Sequence, residues 1–533
     1  MKRIFTFFLT CLFLSTCFFS SYGQARVVVL PGWDPMTGGN PDDFNNIFFD
    51  AVIADSTGRM ENPNTIYELK RGHLYPQGNI LKNFGYHLHI RAEEGDGPLP
   101  QFIPGKKSDG SYGNDYMRTE DDMTLENISF NAFRPDGAYL NRCVEIHAAG
   151  SRTVIDGCIF YGDRGAGITL KADSLRVFIK NVTVGNAGHR KSTGGNGRLV
   201  DLRPQAPYVD TLVIENSTVY NASDRVVRNM GSIVNYLYID HITAFNTKGW
   251  HGGVQLGYVR NATVKNSLFA NVISMGHNPR INEQTQPEKH FAVITIDTVF
   301  DGQSIVVRNN NIYYDQIIID VWAKYDSVSA PYSVAPTLEI AVGSGNVDNM
   351  FFEEVLVLNQ VCDPISDYVD AVYANPAATE FPENWCVGGA GGFFPNQIDA
   401  GYADTYDSYT AADGDYPVGN LNYFPDKKAE WEANPPNSVS SIDMTLNEFS
   451  IYPNPTTSEL NIKIDLQNSS KVNISIMDMS GRVVSTVLQN ELSAGTHVYS
   501  HDVSTQLSKG MYFITVQTEQ GITTQKLFVE GGF

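Results

Sequence analysis

From residue 125 onward the chain repeats a short pattern of alternating apolar and polar positions that ends in a polar residue and Asn. Seven segments carry it: Leu125-Glu-Asn-Ile-Ser-Phe130, Val154-Ile-Asp-Gly-Cys-Ile159, Phe178-Ile-Lys-Asn-Val-Thr-Val184, Val213-Ile-Glu-Asn-Ser-Thr-Val219, Tyr238-Ile-Asp-His-Ile-Thr-Ala244, Thr263-Val-Lys-Asn-Ser-Leu-Phe269 and Val306-Val-Arg-Asn-Asn-Asn-Ile312. The Asn-equivalent positions, 127, 157, 181, 216, 241, 266 and 309, are separated by 30, 24, 35, 25, 25 and 43 residues. Alternation on this scale is strand patterning, and a basic period near 25 with insertions predicts the stacked coils of a parallel β-helix. No single coil buries enough apolar surface to stand alone, so stacking supplies the core. The recurrent Asn is expected to form an inward ladder of amides bonded from coil to coil.

A second short strand precedes each Asn segment: Val144-Glu-Ile-His147, Ile168-Thr-Leu-Lys171, Val200-Asp-Leu-Arg203, Val226-Val-Arg228, Val254-Gln-Leu-Gly257 and Ile294-Thr-Ile-Asp297. Side chains alternate faces along a strand, so with Val144 and Ile146 inside, Glu145 and His147 point outward. The same parity exposes Lys171 and Arg203, and sets Arg228 on the next coil if its strand begins one residue earlier. His147, Lys171, Arg203 and Arg228 are thus expected in one outward column, with coils about 4.8 Å apart. Like charges on adjacent strands repel. An anionic ligand is one explanation for the column; cancellation by Glu145, Asp201 and loop carboxylates is the other. The loops returning to these strands add Arg190 and Lys191, then Trp250 for stacking on a sugar face with His251, then Arg280, all as substrate-binding candidates.

The fold class expected is all-β, a right-handed parallel β-helix followed by a small C-terminal β-sandwich. Residues 1–23 have a charged start, an apolar run from Ile4 to Phe19 and small residues at the exit, as in a signal peptide. Residues 24–349 form the β-helix, with an N-terminal cap that includes Ile66-Tyr-Glu-Leu69 and His87-Leu-His-Ile-Arg91. Residues 350–433 are read as loops over the helix end, 434–448 as a linker and 449–533 as the sandwich. Beyond the signal no apolar run is long enough to span a membrane.

Composition narrows the partners. With 59 acidic against 38 basic residues the formal net charge is −21, which disfavours nucleic acid and makes a local cluster of Lys and Arg conspicuous. Cys11 and Cys17 leave with the signal. Of the remaining four cysteines, Cys362 and Cys386 are expected to form a disulfide, whereas Cys143 and Cys158 either clip neighbouring strands or stay as buried thiols.

The tail motifs Tyr452-Pro-Asn-Pro455, Ser480-Gly-Arg-Val-Val484, Lys509-Gly-Met-Tyr-Phe513 and Lys526-Leu-Phe-Val529 resemble the type IX secretion sorting domain. The resemblance implies an exported protein of a Bacteroidetes-type bacterium. It would pass through the periplasm, be recognised by the type IX secretion machinery, and be released or held at the cell surface.

The repeat and the basic strands resemble the pectin-lyase-like superfamily over roughly residues 60–320, particularly secreted polysaccharide lyases of the alginate lyase and chondroitinase B type. That resemblance implies cleavage of an anionic, uronic-acid polysaccharide by β-elimination, in which a cation neutralises the sugar carboxylate and a base removes the neighbouring proton. It assigns Lys171 as base, Arg203 as neutraliser and Arg228 as a subsite cation. Tyr238-Ile-Asp-His241 resembles a pectate-lyase segment whose Asp helps bind calcium, which would make Asp240 a metal ligand and Ca2+ the one cofactor. Ordinary pairing of Asp240 with Lys265 is the competing reading. Two other functions stay open: a non-catalytic glycan-binding or adhesive β-helix, and a glycoside hydrolase using Asp201 and Glu145.

Overall fold

A computed structural model describes residues 25–188, 196–249, 252–277, 291–299, 303–325, 328–342, 347–356, 365–375, 393–394, 398–433, 446–466, 469–477, 483–504, 507–518 and 521–530. The signal segment and Cys362 and Cys386 lie outside them.

The repeat folds into three long parallel sheets, one strand of each per coil. In a representative coil, Arg142–Ile146 belongs to sheet 1, Arg152–Asp156 to sheet 2 and Ile159–Tyr161 to sheet 3. Sheets 1 and 3 have nine strands each and sheet 2 has eleven, in unbroken coil order. This is the parallel β-helix that the period predicts. Residues one coil apart sit in register, so like positions form columns. Inside sheet 3, Phe102, Phe130 and Phe160 stack with ring centroids 5.3 and 5.1 Å apart and are fully buried.

The recurrent Asn marks a corner rather than the interior. Asn127, Asn181, Asn216, Asn266 and Asn309 have φ between 44° and 59°, with Gly157 and His241 at the same left-handed bend. Asn and Gly tolerate this region, which explains the repeat. The expected inward ladder is corrected accordingly: these side chains point out along the ridge between sheets 2 and 3. There Asn309 Nδ2 donates to Asn266 Oδ1 at 3.2 Å and Asn349 Nδ2 to Asn309 Oδ1 at 3.2 Å. A second set five residues on, Asn186, Asn221, Asn246 and Asn271, bends sheet 3 toward sheet 1 with φ of 46° to 53°. These are buried, and they bond in pairs, Asn221 to Asn186 and Asn271 to Asn246.

Arg26–Leu30 pairs with Thr65–Leu69, which pairs with Leu88–Ala92, and Ile47–Ala54 forms a helix that buries Phe48 and Val52. The region after residue 315 is richer in helix than its composition suggests, with Gln316–Ala323, Ile365–Ala374 and Pro425–Ala433 helical. Instead of closing the end, residues 411–424 run back along the ridge. Asp413 receives Asn309 Nδ2 at 2.8 Å, Gly419 N–H donates to Asn266 O at 2.8 Å, and Leu421 N–H reaches Asn216 Oδ1 at 3.3 Å. Cys143 and Cys158 are buried free thiols.

The tail forms antiparallel sheets of three and four strands around Leu460, Ile462, Ile464, Ile474, Ile476, Ile514 and Val516, the expected small sandwich.

Removing one ring from the aromatic column should leave a cavity that rigid coils cannot close. Phe130→Ala is expected to lower unfolding free energy by about 3–5 kcal/mol, read by urea denaturation against the wild type.

Candidate functional site

Sheet 1 presents an outward face built by the registers of its short strands. Ile146 pairs with Leu170 and Leu170 with Leu202, so His147, Lys171 and Arg203 share one column as expected. Leu202 then pairs with Asn229 and Asp201 with Arg228. The next member of that column is therefore Met230, and the expected place of Arg228 in it is corrected. Arg228 stands in the adjacent column, where Glu145, Thr169, Asp201, Arg228 and Gln255 follow one another. Val226 and Val227 are both buried, so this apolar doublet does not show which of them takes the place of Val200.

Two carboxylates organise the cations. Glu145 is fully buried, with Lys171 Nζ at 2.6 Å, Arg142 Nη1 at 2.8 Å, His147 Nε2 at 3.0 Å and Arg118 Nε at 3.1 Å. Burial alone would raise its pKa, but hydrogen bonds from His147 and Lys171 and the charges of Arg142 and Lys171 hold it down to about 2. Asp201 takes a bidentate pair from Arg228, both contacts 2.7 Å, and lies 3.2 Å from Arg198. Burial opposes its ionisation too, yet Arg228 and Arg198 hold its carboxyl below the usual range. Arg203 is left outside this bidentate pair. Its Nη1 is 3.6 Å from Asp201 and 3.5 Å from Met230 Sδ, and its Nε has no partner among the described residues. The side chains of Lys171, Arg203 and His147 remain 22, 29 and 28 % exposed.

Behind this face, at the corner with sheet 3, lies a chain of fully buried ions that the sequence reading missed. Arg198 bridges Asp201 to Asp224 at 2.9 Å, and Asp224 receives Arg225 Nε at 2.9 Å. Arg225 in turn donates to Gln255, whose amide donates to Asp297. Burial pushes Arg198 down to about 10 and Lys248 down to about 8, each opposed by Asp224. Asp163, buried without a hydrogen-bond partner for either oxygen among the described residues, is pushed up to about 7 against the pull of Arg198. The signal was present as charged residues just before each sheet 1 strand, Asp163, Arg198, Asp224 and Arg225.

Among the described residues, carboxylates therefore intervene between the cations, as one of the two sequence explanations has it: Glu145 and Asp201 each pair with several of them, and Asp163, Asp224 and Asp297 lie in the same network.

The remaining candidates divide. Arg190, Lys191, Trp250, His251 and Arg280 lie outside the described residues, although their flanking residues Gly188, Gly249, Gly252 and His277 are described. Asp240 sits on the outward side of sheet 2, fully buried. It accepts from Tyr238 Oη and Asn266 Nδ2 at 2.8 Å each, and has His241 Nδ1 at 2.8 Å and Lys265 Nζ at 3.5 Å. Despite burial, His241, Lys265 and Tyr238 hold its carboxyl well below the usual range. With its oxygens so occupied, Asp240 does not fit a calcium ligand. Among the described residues no group of three or more His, Cys, Asp or Glu side chains is disposed to hold a metal.

Residues 450–530 match the secretion system C-terminal sorting domain family. No curated protein matches the chain. No described helix is long and apolar enough to cross a membrane. The tail marks the protein for secretion or cell-surface attachment and for interaction with the type IX machinery.

The buried acids give a pH test. Asp163 binds its proton more tightly folded, at about 7, than unfolded, at the ordinary carboxyl value of 3.8. Its ionisation therefore costs stability as pH rises from the lower value to the higher, by up to about 4 kcal/mol at 1.36 kcal/mol per unit. Asp163→Asn is expected to be more stable than wild type in urea at pH 8 and equal to it near pH 4. Glu145 acts oppositely: its contribution is full above the unfolded carboxyl pKa and is lost as pH falls toward 2.

Proposed function

We propose that this exported β-helix binds an acidic, uronate-containing polysaccharide along the outward face of sheet 1. The observation that carries the proposal is Arg203. It lies one coil from Lys171, is partly exposed, and has no hydrogen bond to an oxygen among the described residues. Asp201 is already held by Arg228, so the guanidinium of Arg203 keeps its planar fork of donors for a ligand carboxylate. In this reading Arg228 is a positioning residue that occupies Asp201. Spacing supports a polymer, because Lys171, Arg203 and His147 repeat along one line about 4.8 Å apart.

A second reading, β-elimination, is favoured by the register of Lys171 and Arg203. Arg203 would neutralise the uronate carboxylate and so acidify the adjacent C–H. Lys171, as the free amine, would take that proton, the bond to the neighbouring glycosidic oxygen would break, and the new Lys171 ammonium would return the proton to the departing oxygen, leaving an unsaturated sugar and a neutral alcohol. Lys171 is paired with Glu145 at 2.6 Å, so bound substrate must first draw it away. A glycoside hydrolase using Asp201 and Glu145 is disfavoured. Such a mechanism needs one protonated carboxylic acid, and cations hold both of these below their usual range.

The mature protein should bind alginate, pectate, chondroitin or ulvan with an affinity that falls as salt rises. Arg203→Ala should weaken that binding about tenfold, equivalent to about 1.4 kcal/mol, by calorimetric titration. If elimination occurs, ultraviolet absorbance of the unsaturated product should appear with the wild type and vanish in Lys171→Ala. Binding by none of these polymers would refute the proposal. Binding without absorbance would reduce it to recognition alone.

A further inference from the structure

Across the prism from sheet 1, the ridge between sheets 2 and 3 carries a cleft of about 640 Å³, a size typical of small-molecule sites. Its floor is the first part of the outward amide ridge, Asn127, Gly157 and Asn181, with Asp156. Its far wall belongs to the C-terminal cover, with Asp399, Asn422, Tyr423 and Lys428.

The cover itself shows what this ridge accepts. Where residues 411–424 lie on it, from Asn216 to Asn309, short polar contacts run along the amides, while Ala412 and Val418 join Tyr220, Phe245 and Leu268 in an apolar cluster beside them. Leu421 N–H reaches Asn216 Oδ1, Asn422 Nδ2 donates to Asn216 O at 3.0 Å, Asp413 N–H donates to Asn266 Oδ1 at 3.0 Å, and Asn309 Nδ2 donates to Asp413. At Asn127 and Asn181 the same bend recurs with φ of 59° and 53°, but the cover has ended. Asn127 is exposed, and its side chain has no hydrogen-bond partner among the described residues. Asn181 donates to Asp156 at 2.7 Å while its Oδ1 is buried and unsatisfied.

A ligand replacing the cover here must supply closely spaced donors and acceptors. Two lining carboxylates against one ammonium repel a uronate. Tyr423 and Tyr220 add aromatic surface to the lining. We propose that the cleft binds a neutral saccharide, read by the amides of Asn127 and Asn181 and by Asp399. The site is separate from the basic face, so the protein would hold acidic and neutral glycan on opposite flanks.

The test is calorimetric titration of the mature protein with short cello-, laminari-, xylo- and manno-oligosaccharides. Asn127→Gly with Asn181→Gly keeps the left-handed bends, as Gly157 already does, and removes both amides. Asp399→Ala changes the opposite wall independently. At least one saccharide should bind the wild type, and each variant should weaken it about tenfold while binding of acidic polymer to sheet 1 is unchanged. The proposal is overturned if no neutral saccharide binds, or if both variants bind it as the wild type does. It is also overturned if only a peptide copying residues 411–424 occupies the cleft.

Discussion

Hydrogen bonding between successive coils fixes where the side chains of the β-helix stand. Strands in parallel register lie about 4.8 Å apart, so a residue chosen once is placed beside its counterparts in the coils on either side. Inside, this produces the aromatic column of Phe102, Phe130 and Phe160. At the corners it aligns left-handed Asn residues into two ridges. Outside, on sheet 1, it brings together charges that repulsion would otherwise separate. The price of that proximity is met by Glu145 and Asp201, each buried among three or more cations.

That arrangement changes how a basic face works. Unpaired cations in a column would repel one another and splay into solvent. Sharing a carboxylate among several of them keeps the cations close and fixes their rotamers. Glu145, held ionised down to a pH of about 2, is a permanent anchor for Lys171 and His147. Arg228 performs the same service for Asp201, and Arg203 is released by it.

Much of this was legible in the sequence because stacked coils write their period directly into the chain. The spacing of the Asn segments gave the β-helix, and parity along Val144–His147 and Val200–Arg203 placed His147, Lys171 and Arg203 in one column. Arg228 escaped because Val226 and Val227 are both apolar and buried, so alternation there does not set the register. The Asn repeat was visible but its cause was not: φ is a backbone property, and an amide at a bend looks like an amide in a ladder. A second Asn series, five residues later in four of the seven coils, was also visible in the spacing. Buried ions such as Asp163 and Arg198 were hidden because charge in a sequence suggests solvent, and only the folded corner removes it. The path of residues 411–424 along the ridge rests on contacts more than a hundred residues apart in sequence, which no local pattern encodes.

The central claim is that stacking and shared carboxylates leave Arg203 and Lys171 poised for sugar carboxylates on sheet 1. A crystal structure of the mature protein with a short uronate oligosaccharide tests it most directly. The account predicts a sugar carboxylate hydrogen-bonded to the Arg203 guanidinium, with the chain running along the Lys171–Arg203 column. A uronate bound on another face, with Arg203 still resting against Asp201 and Met230, would contradict it.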